Sequence, residues 1–221
     1  MGGIRALPNA VAIAPLAAPP PLPSMIILKE GGVNGLDREF DPPDSDTPSG
    51  GHGAKVDGIS CGQMVDKSYH VHAFIGLLVN GREVAIPDQI GMVDPGVAVR
   101  GFTNSAHCFY GIHTHDATGM IHFEVTSEAK PSVGLYTLGD VLDVWGERIS
   151  ATSFGRFSGP VHVFYAYTPL RTLLAGVYGY AEYNGAAPRD IKMYSHMAVW
   201  IEVGTVIPGS RLPKIRFYTE Y

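Results

Sequence analysis

Long apolar runs, dense charge, clustered cysteine and internal repeats are all missing from this 221-residue chain, and each absence excludes something. No stretch of about 18 uninterrupted apolar residues occurs, so no segment is long enough to cross a bilayer as a helix. Charged residues make up only 17%, and a formal charge of −5 with no run of Lys or Arg leaves no electrostatic footprint for a phosphate backbone. Nucleic-acid binding is therefore not expected. The two cysteines, Cys61 and Cys108, form no CxxC, which argues against a cysteine metal pair. No repeat period is visible, so this is not a repeat array.

The residues present favour strands. A hydrophobic content of 45% supplies one sizeable core, while 27 Gly, 17 Pro, 11 Tyr and 9 Phe suit short strands joined by turns. An all-β fold is expected, an antiparallel sandwich or barrel-like sheet with one short helix and an extended N-terminal arm. The stretch MGGIRALPNAVAIAPLAAPPPLPS has one Arg and small residues, but prolines interrupt the apolar helix that a signal peptide requires. Ala17–Pro23 (AAPPPLP) favours polyproline II. Such an arm packs either on a neighbouring subunit, giving self-association, or along its own domain. Asp41–Gly53 (DPPDSDTPSGGHG) is loop-like, so residues 1–54 read as arm and linker and 55–221 as a β-rich metal-binding domain.

Alternation places the elements. Tyr69–Val79 puts Val71, Ala73, Ile75, Leu77 and Val79 on one face and His70 and His72 on the other. Asn80-Gly81 then predicts a type I′ hairpin into REVAIP. Thr137–Trp145 has Leu138, Val141, Leu142 and Trp145 at helical spacing, with Thr137 as N-cap and Asp140 at the third helical position. Val161–Tyr167, Met197–Gly204 and Lys214–Tyr221 read as further strands.

Chemistry concentrates in Gly111–Glu124, GIHTHDATGMIHFE. Closing a hairpin at Asp116-Ala117-Thr118-Gly119 sets His113 opposite His122 and His115 opposite Met120, and period two puts His113, His115, His122 and Glu124 on one face. Opposed Cβ atoms in such a pair lie about 4.5–5.5 Å apart, close enough for three imidazoles to meet one ion. A polar face without a ligand would more simply use Thr, Ser or Lys. His70 and His72 either complete this site or build a separate one. Met120 and Glu124 are further donors, and His107 is a weaker one if the strand Cys108–His115 extends back unbroken. Asp116 reads as the turn-closing residue, Thr114 as dispensable for binding, and His52, His162 and His196 as ordinary surface histidines. Each imidazole must be neutral to coordinate, so binding should weaken below about pH 6.

Cys108 has the parity of the core face and Cys61 lies just before the strand of His70. A disulfide tying the two strands is the favoured reading; it implies an oxidising, extracellular, periplasmic or cell-surface location. Two buried free thiols in a cytosolic protein are the alternative.

The segments YHVHAFIGLLVNG, IPDQIGM, CFYGIHTHDATGMIHFE and YTLGDVLDVWG resemble a group of small exported prokaryotic proteins with no settled activity, over about a third of the chain from Cys61 to Trp145. The resemblance implies export and a site formed by His70, His72, His113, His115 and His122 with Glu124. The Pro-rich arm and the tail after Gly159 have no counterpart in it. A cupin is set aside, since it needs its Glu three or four residues beyond H-x-H, whereas Glu124 is nine positions after His115. A multicopper oxidase is set aside for want of an HCH motif. Imidazole donors suit copper and zinc alike, with copper first because it tops the affinity order and Met120 could serve Cu(I). Zinc is second, and with it comes the alternative function of a hydrolase or lyase in which Glu124 acts as base on a metal-bound water. A further reading from a different class is a subunit of an extracellular assembly that donates its arm to a neighbour.

Overall fold

The computed structural model describes residues 21–35, 52–126, 136–167 and 179–217. Strands β1 (Met25–Ile27), β2 (Cys61–Gly62), β3 (Met64–Val79), β4 (Arg82–Val84), β5 (Met92–Pro95), β6 (Ala106–Tyr110), β7 (Ile112–His113) and β8 (Met120–Thr126) precede helix α1 (Leu138–Trp145). After it come β9 (Ile149–Ser150), β10 (Ser153–Phe154), β11 (Phe157–Ser158), β12 (Val161–Tyr167), β13 (Ala181–Glu182), β14 (Met197–Val203) and β15 (Lys214–Arg216). The main sheet runs β13-β12-β14-β3-β8-β7, with β4 also paired to β3. Its central junction, β14 on β3, is parallel, while the other pairs of this sheet are antiparallel. The architecture is thus all-β and sandwich-like with mixed pairing, and the described strands close no barrel. Parallel pairing escaped the sequence because it joins strands far apart in the chain, which no turn signal links.

Both faces of this sheet are covered. On one, Ala73, Ile75 and Leu77 of β3 join Ile121 and Phe123 of β8 and Val199 and Ile201 of β14 in a core that α1 caps. On the other, Phe74, Leu78, Met120, Ala198 and Trp200 pack with Ile26, Leu28 and Ile215 from the β1–β15 pair. Gly76 stands opposite Trp200 on β14, and a Cβ there would lie 2.4 Å from the indole. Glycine in the middle of this strand makes room for the largest side chain of the second face.

Local chemistry sets the ends of the elements. Thr137 accepts from the Asp140 N–H while the Asp140 side chain accepts from the Thr137 N–H, the reciprocal capping box that the spacing predicts. Gly146 closes α1 in the left-handed region. Eight residues are too few for an isolated helix, so α1 depends on burying Leu138, Val141, Leu142, Val144 and Trp145, at roughly 1.5–3 kcal/mol for each large apolar side chain. Asn80 and Gly81, with φ of 51° and 77°, form the two-residue turn between Val79 and Arg82, as expected.

Part of the stretch read as arm and linker lies in the folded body. Met25–Ile27 pairs in parallel with Lys214–Arg216, and Ile26 and Leu28 are buried. The Asn34 N–H donates to the Ala117 carbonyl and the Gly31 N–H to Asp116. The body thus takes in residues upstream of Lys55. Most of the proposed arm, 1–20, and most of the loop-like stretch, 41–51, lie outside the described residues, as does the end of the last expected strand, 218–221.

Candidate metal centre

The hairpin register is the one that alternation dictates: Ile112 pairs with Phe123 and His113 with His122. The Glu124 N–H donates to the Gly111 carbonyl at 2.9 Å, one step further along. On the other side of β8, β3 pairs His70 with Glu124 and His72 with His122. Three adjacent strands therefore aim His113, His122, Glu124, His72 and His70 from the same face of the sheet. His115, in the chain just after β7, closes the group and does not pair with Met120 in the ladder.

The donor atoms gather in two sets, each with all members within 4.8 Å of one another: His113, His115, His122 and Glu124 in one, His70, His72 and His122 in the other. His72 Nε2 lies 2.9 Å from His70 Nε2 and 3.1 Å from His122 Nδ1, and His70 Nε2 lies 3.3 Å from His122 Nδ1. His113 Nε2 and His115 Nε2 are 3.1 Å apart. Glu124 Oε1 stands 2.9 Å from His70 Nε2, 3.6 Å from His122 Nδ1 and 3.9 Å from His113 Nε2. Two nitrogens bound to one ion at about 2.0–2.1 Å stand about 2.9 Å apart at a right angle and about 3.3 Å apart at the tetrahedral angle. The spacings found match edges of a coordination sphere.

Backbone carbonyls orient two of the rings. His113 Nδ1 donates to the Tyr110 carbonyl at 3.0 Å and His115 Nδ1 to the Thr103 carbonyl at 2.5 Å. A carbonyl can only accept, so both protons sit on Nδ1 and both Nε2 atoms of the neutral rings present lone pairs. Those lone pairs point at each other across 3.1 Å, an arrangement that repels unless a cation lies between. Outer-shell contacts of this kind are how proteins orient metal-binding imidazoles. Phe102 stacks on His115 and Phe109 packs edge-on to His113, holding the rings from the side.

Electrostatics point the same way. Burial lowers the pKa of His72 and of His122 to about 3. It also holds His113 well below its ordinary value, with His115 and His122 adding to the effect, and lowers His115. Burial opposes ionisation of Glu124, but hydrogen bonds with His122 and His70 outweigh it and hold the carboxyl below the usual range. An ionised carboxylate among uncharged imidazoles leaves the pocket negative, the state a metal cation neutralises. The rings of His72, His113, His115 and His122 stay neutral to lower pH than surface histidines would, so proton competition at these four starts below the pH 6 expected from unperturbed imidazole.

Of the other residues singled out, some fall as expected and others do not. Gly111 divides the expected strand Cys108–His115 into β6 and β7, and His107 is exposed and outside both donor sets. Thr114, read as dispensable, is fully buried; its hydroxyl donates to the Pro87 carbonyl and accepts from the Ile90 N–H. Asp116 does close the turn, accepting from the Thr118 N–H and from Gly31. Met120 is buried in the second apolar core. His162 pairs with Glu182, whereas His196, read as a surface residue, is buried, and its N–H donates to the His72 carbonyl at 2.6 Å. Sequence reasoning placed His196 on the surface and passed over Thr103 and Tyr110, whose backbone carbonyls carry no signature. Cys61 and Cys108 are bridged, with Cα atoms 5.5 Å apart. The bridge ties β2 to β6, which immediately precede β3 and β7 in the chain, and does not link β3 to β7 directly.

No family model, curated protein or solved structure matches the chain, so the functional reading rests on this buried His/Glu cluster, which could hold a metal ion.

Proposed function

We propose that the chain is an exported metal-binding protein whose histidine cluster takes a transition metal, copper first and zinc second. One observation carries the reading: the facing lone pairs of His113 Nε2 and His115 Nε2, 3.1 Å apart beside an ionised Glu124. Imidazole nitrogen suits either ion, and copper leads on the affinity order. The disulfide supports export, because such bonds persist in oxidising compartments, and the resemblance of the His-rich segment to exported prokaryotic proteins agrees with it. Elemental analysis of protein purified from its native source tests the assignment: copper at or above one equivalent is expected. A metal-free protein that also fails to bind Cu(II) or Zn(II) on titration would sink it.

A second reading has one observation in its favour. Glu124 Oε1 stands 3.6 and 3.9 Å from His122 Nδ1 and His113 Nε2, farther than the 3.1 Å between His113 Nε2 and His115 Nε2, so that, held by His70 at 2.9 Å, it could act as base toward a zinc-bound water. Zinc in the native protein together with ester or amide hydrolysis lost in Glu124→Gln would favour that hydrolase. Self-association through the N-terminal arm, as a subunit of an extracellular assembly, is the companion proposal. Light scattering of the chain with and without residues 1–20 tests it; an unchanged mass would remove the arm from the argument.

A further inference from the structure

We propose that the cluster holds two metal ions, not one, and that His122 is the ligand they share. The inference rests on the metal-binding reading above and goes beyond it in number and arrangement. Two ligands of a single ion stand at most about 4.2 Å apart, twice a metal–nitrogen bond of about 2.1 Å. The six donors do not form one group on even a looser limit; they form two, each within 4.8 Å, that overlap at His122. One position is framed by His70 Nε2, His72 Nε2 and His122 Nδ1, whose edges are 2.9, 3.1 and 3.3 Å. The other is framed by His113, His115 and Glu124, again with His122.

Ring geometry gives independent support, because the two pairs meet His122 in the same manner. His72 and His115 each stand edge-on to it, with centroids 4.4 and 4.5 Å away and interplanar angles of 87° and 90°. His70 and His113 each have centroids 5.5 Å away and lie closer to coplanar with it, at 30° and 14°. An ordinary core histidine has no reason to be flanked by two matched imidazole pairs. We assign His122 as the bridge: Nδ1, 3.1 and 3.3 Å from the His72 and His70 nitrogens, serves the His70–His72 position, which leaves Nε2 as the nitrogen for the other. The second ion displaces the remaining ring proton to solvent, leaving an imidazolate between the two. His70 is 27% exposed at its side chain while His113 is fully buried, so the His70–His72 position is the one that solvent reaches.

Titration of the full chain with Cu(II), followed by calorimetry and by elemental analysis after desalting, tests this. Two equivalents per chain are expected, falling to one in His70→Ala, whose partly exposed position spares the fold. Two Cu(II) ions across an imidazolate couple magnetically, so the integrated electron paramagnetic resonance signal should fall short of the copper content in the wild type and match it in His70→Ala. Saturation of the wild type at one equivalent overturns the two-ion arrangement while leaving the metal-binding reading intact. Two equivalents with a full, uncoupled signal overturns the shared His122. Absence of any binding overturns both.

Discussion

The two faces of the β3–β8 ladder are made by the same two strands in the same register, yet they do different work. Odd positions on β3 and β8, such as Ala73, Ile121 and Phe123, enter a dry core beneath α1. Even positions carry His70, His72, His122 and Glu124 at one end and Phe74 and Met120 at the other. The inner part of that polar end is nearly as well buried as the apolar end: His72 is fully covered and His122 is 5% exposed, while the side chain of His70 at the rim is 27% exposed. Buried polar groups persist when they are satisfied, and here the rings turn inward on one another while carbonyls take two of the outer N–H groups. A stretch of core that faces inward with lone pairs could hold a cation.

Substitutions on the two faces should separate binding from stability. The largest effect is expected for His122→Ala, which removes a member of both donor sets. Metal binding should fall at least 100-fold, since fewer than three ligands remain at the His70–His72 position; competition against a chromophoric chelator reads this. Binding that survives unchanged would break the contrast between the faces. One residue along, Phe123→Ala should leave the ligands in place but cost about 3–5 kcal/mol of stability, measured by chemical denaturation of the metal-free protein. Equal loss of metal affinity in both variants would show that the faces are not separable.

Reducing the Cys61–Cys108 bridge should destabilise by about 4 kcal/mol, from the chain entropy of a loop spanning 47 residues, seen as a drop of several degrees in Tm. Two alkylatable thiols in the unreduced, unfolded chain would contradict it. Thr114→Val should cost about 1–3 kcal/mol, because the Ile90 N–H and Pro87 carbonyl lose their partner, and should weaken binding through the loop that carries His115. Unchanged metal binding would agree with Thr114 being dispensable for binding.

The smallest effect concerns Glu202, fully buried on β14, whose Oε2 accepts from the Ile207 N–H at 2.7 Å. Desolvation raises its pKa from 4.5 to about 7. Between those values the unfolded chain is ionised while the folded chain keeps its proton, so the group favours the folded state least above about pH 7. Glu202→Gln should therefore raise Tm more at pH 8 than at pH 5. The reverse order would show that the carboxylate is stabilised where it lies.

Alternation was enough to state which face carries the histidines, because a side-chain period of two leaves His113, His122 and Glu124 no choice once the turn at Asp116–Gly119 closes. The Asn80-Gly81 hairpin and the capped helix at Thr137 were legible for the same reason: a few neighbouring residues decide each. What spans long sequence separations was not. Whether His70 and His72 join the His113 hairpin depends on β3 lying beside β8, a pairing that closes across some 50 residues and is held by the whole sheet. The parallel junction of β14 with β3, the burial of Thr114 and His196, and the carbonyls of Thr103 and Tyr110 that set the imidazole tautomers came only from the tertiary structure. The sequence by itself determined which side chains share a face. Only the packed fold decided which strands are neighbours, how dry the space between them is, and that His122 stands between two pairs of histidines, because burial and backbone acceptors are properties of the assembled chain and not of any one segment.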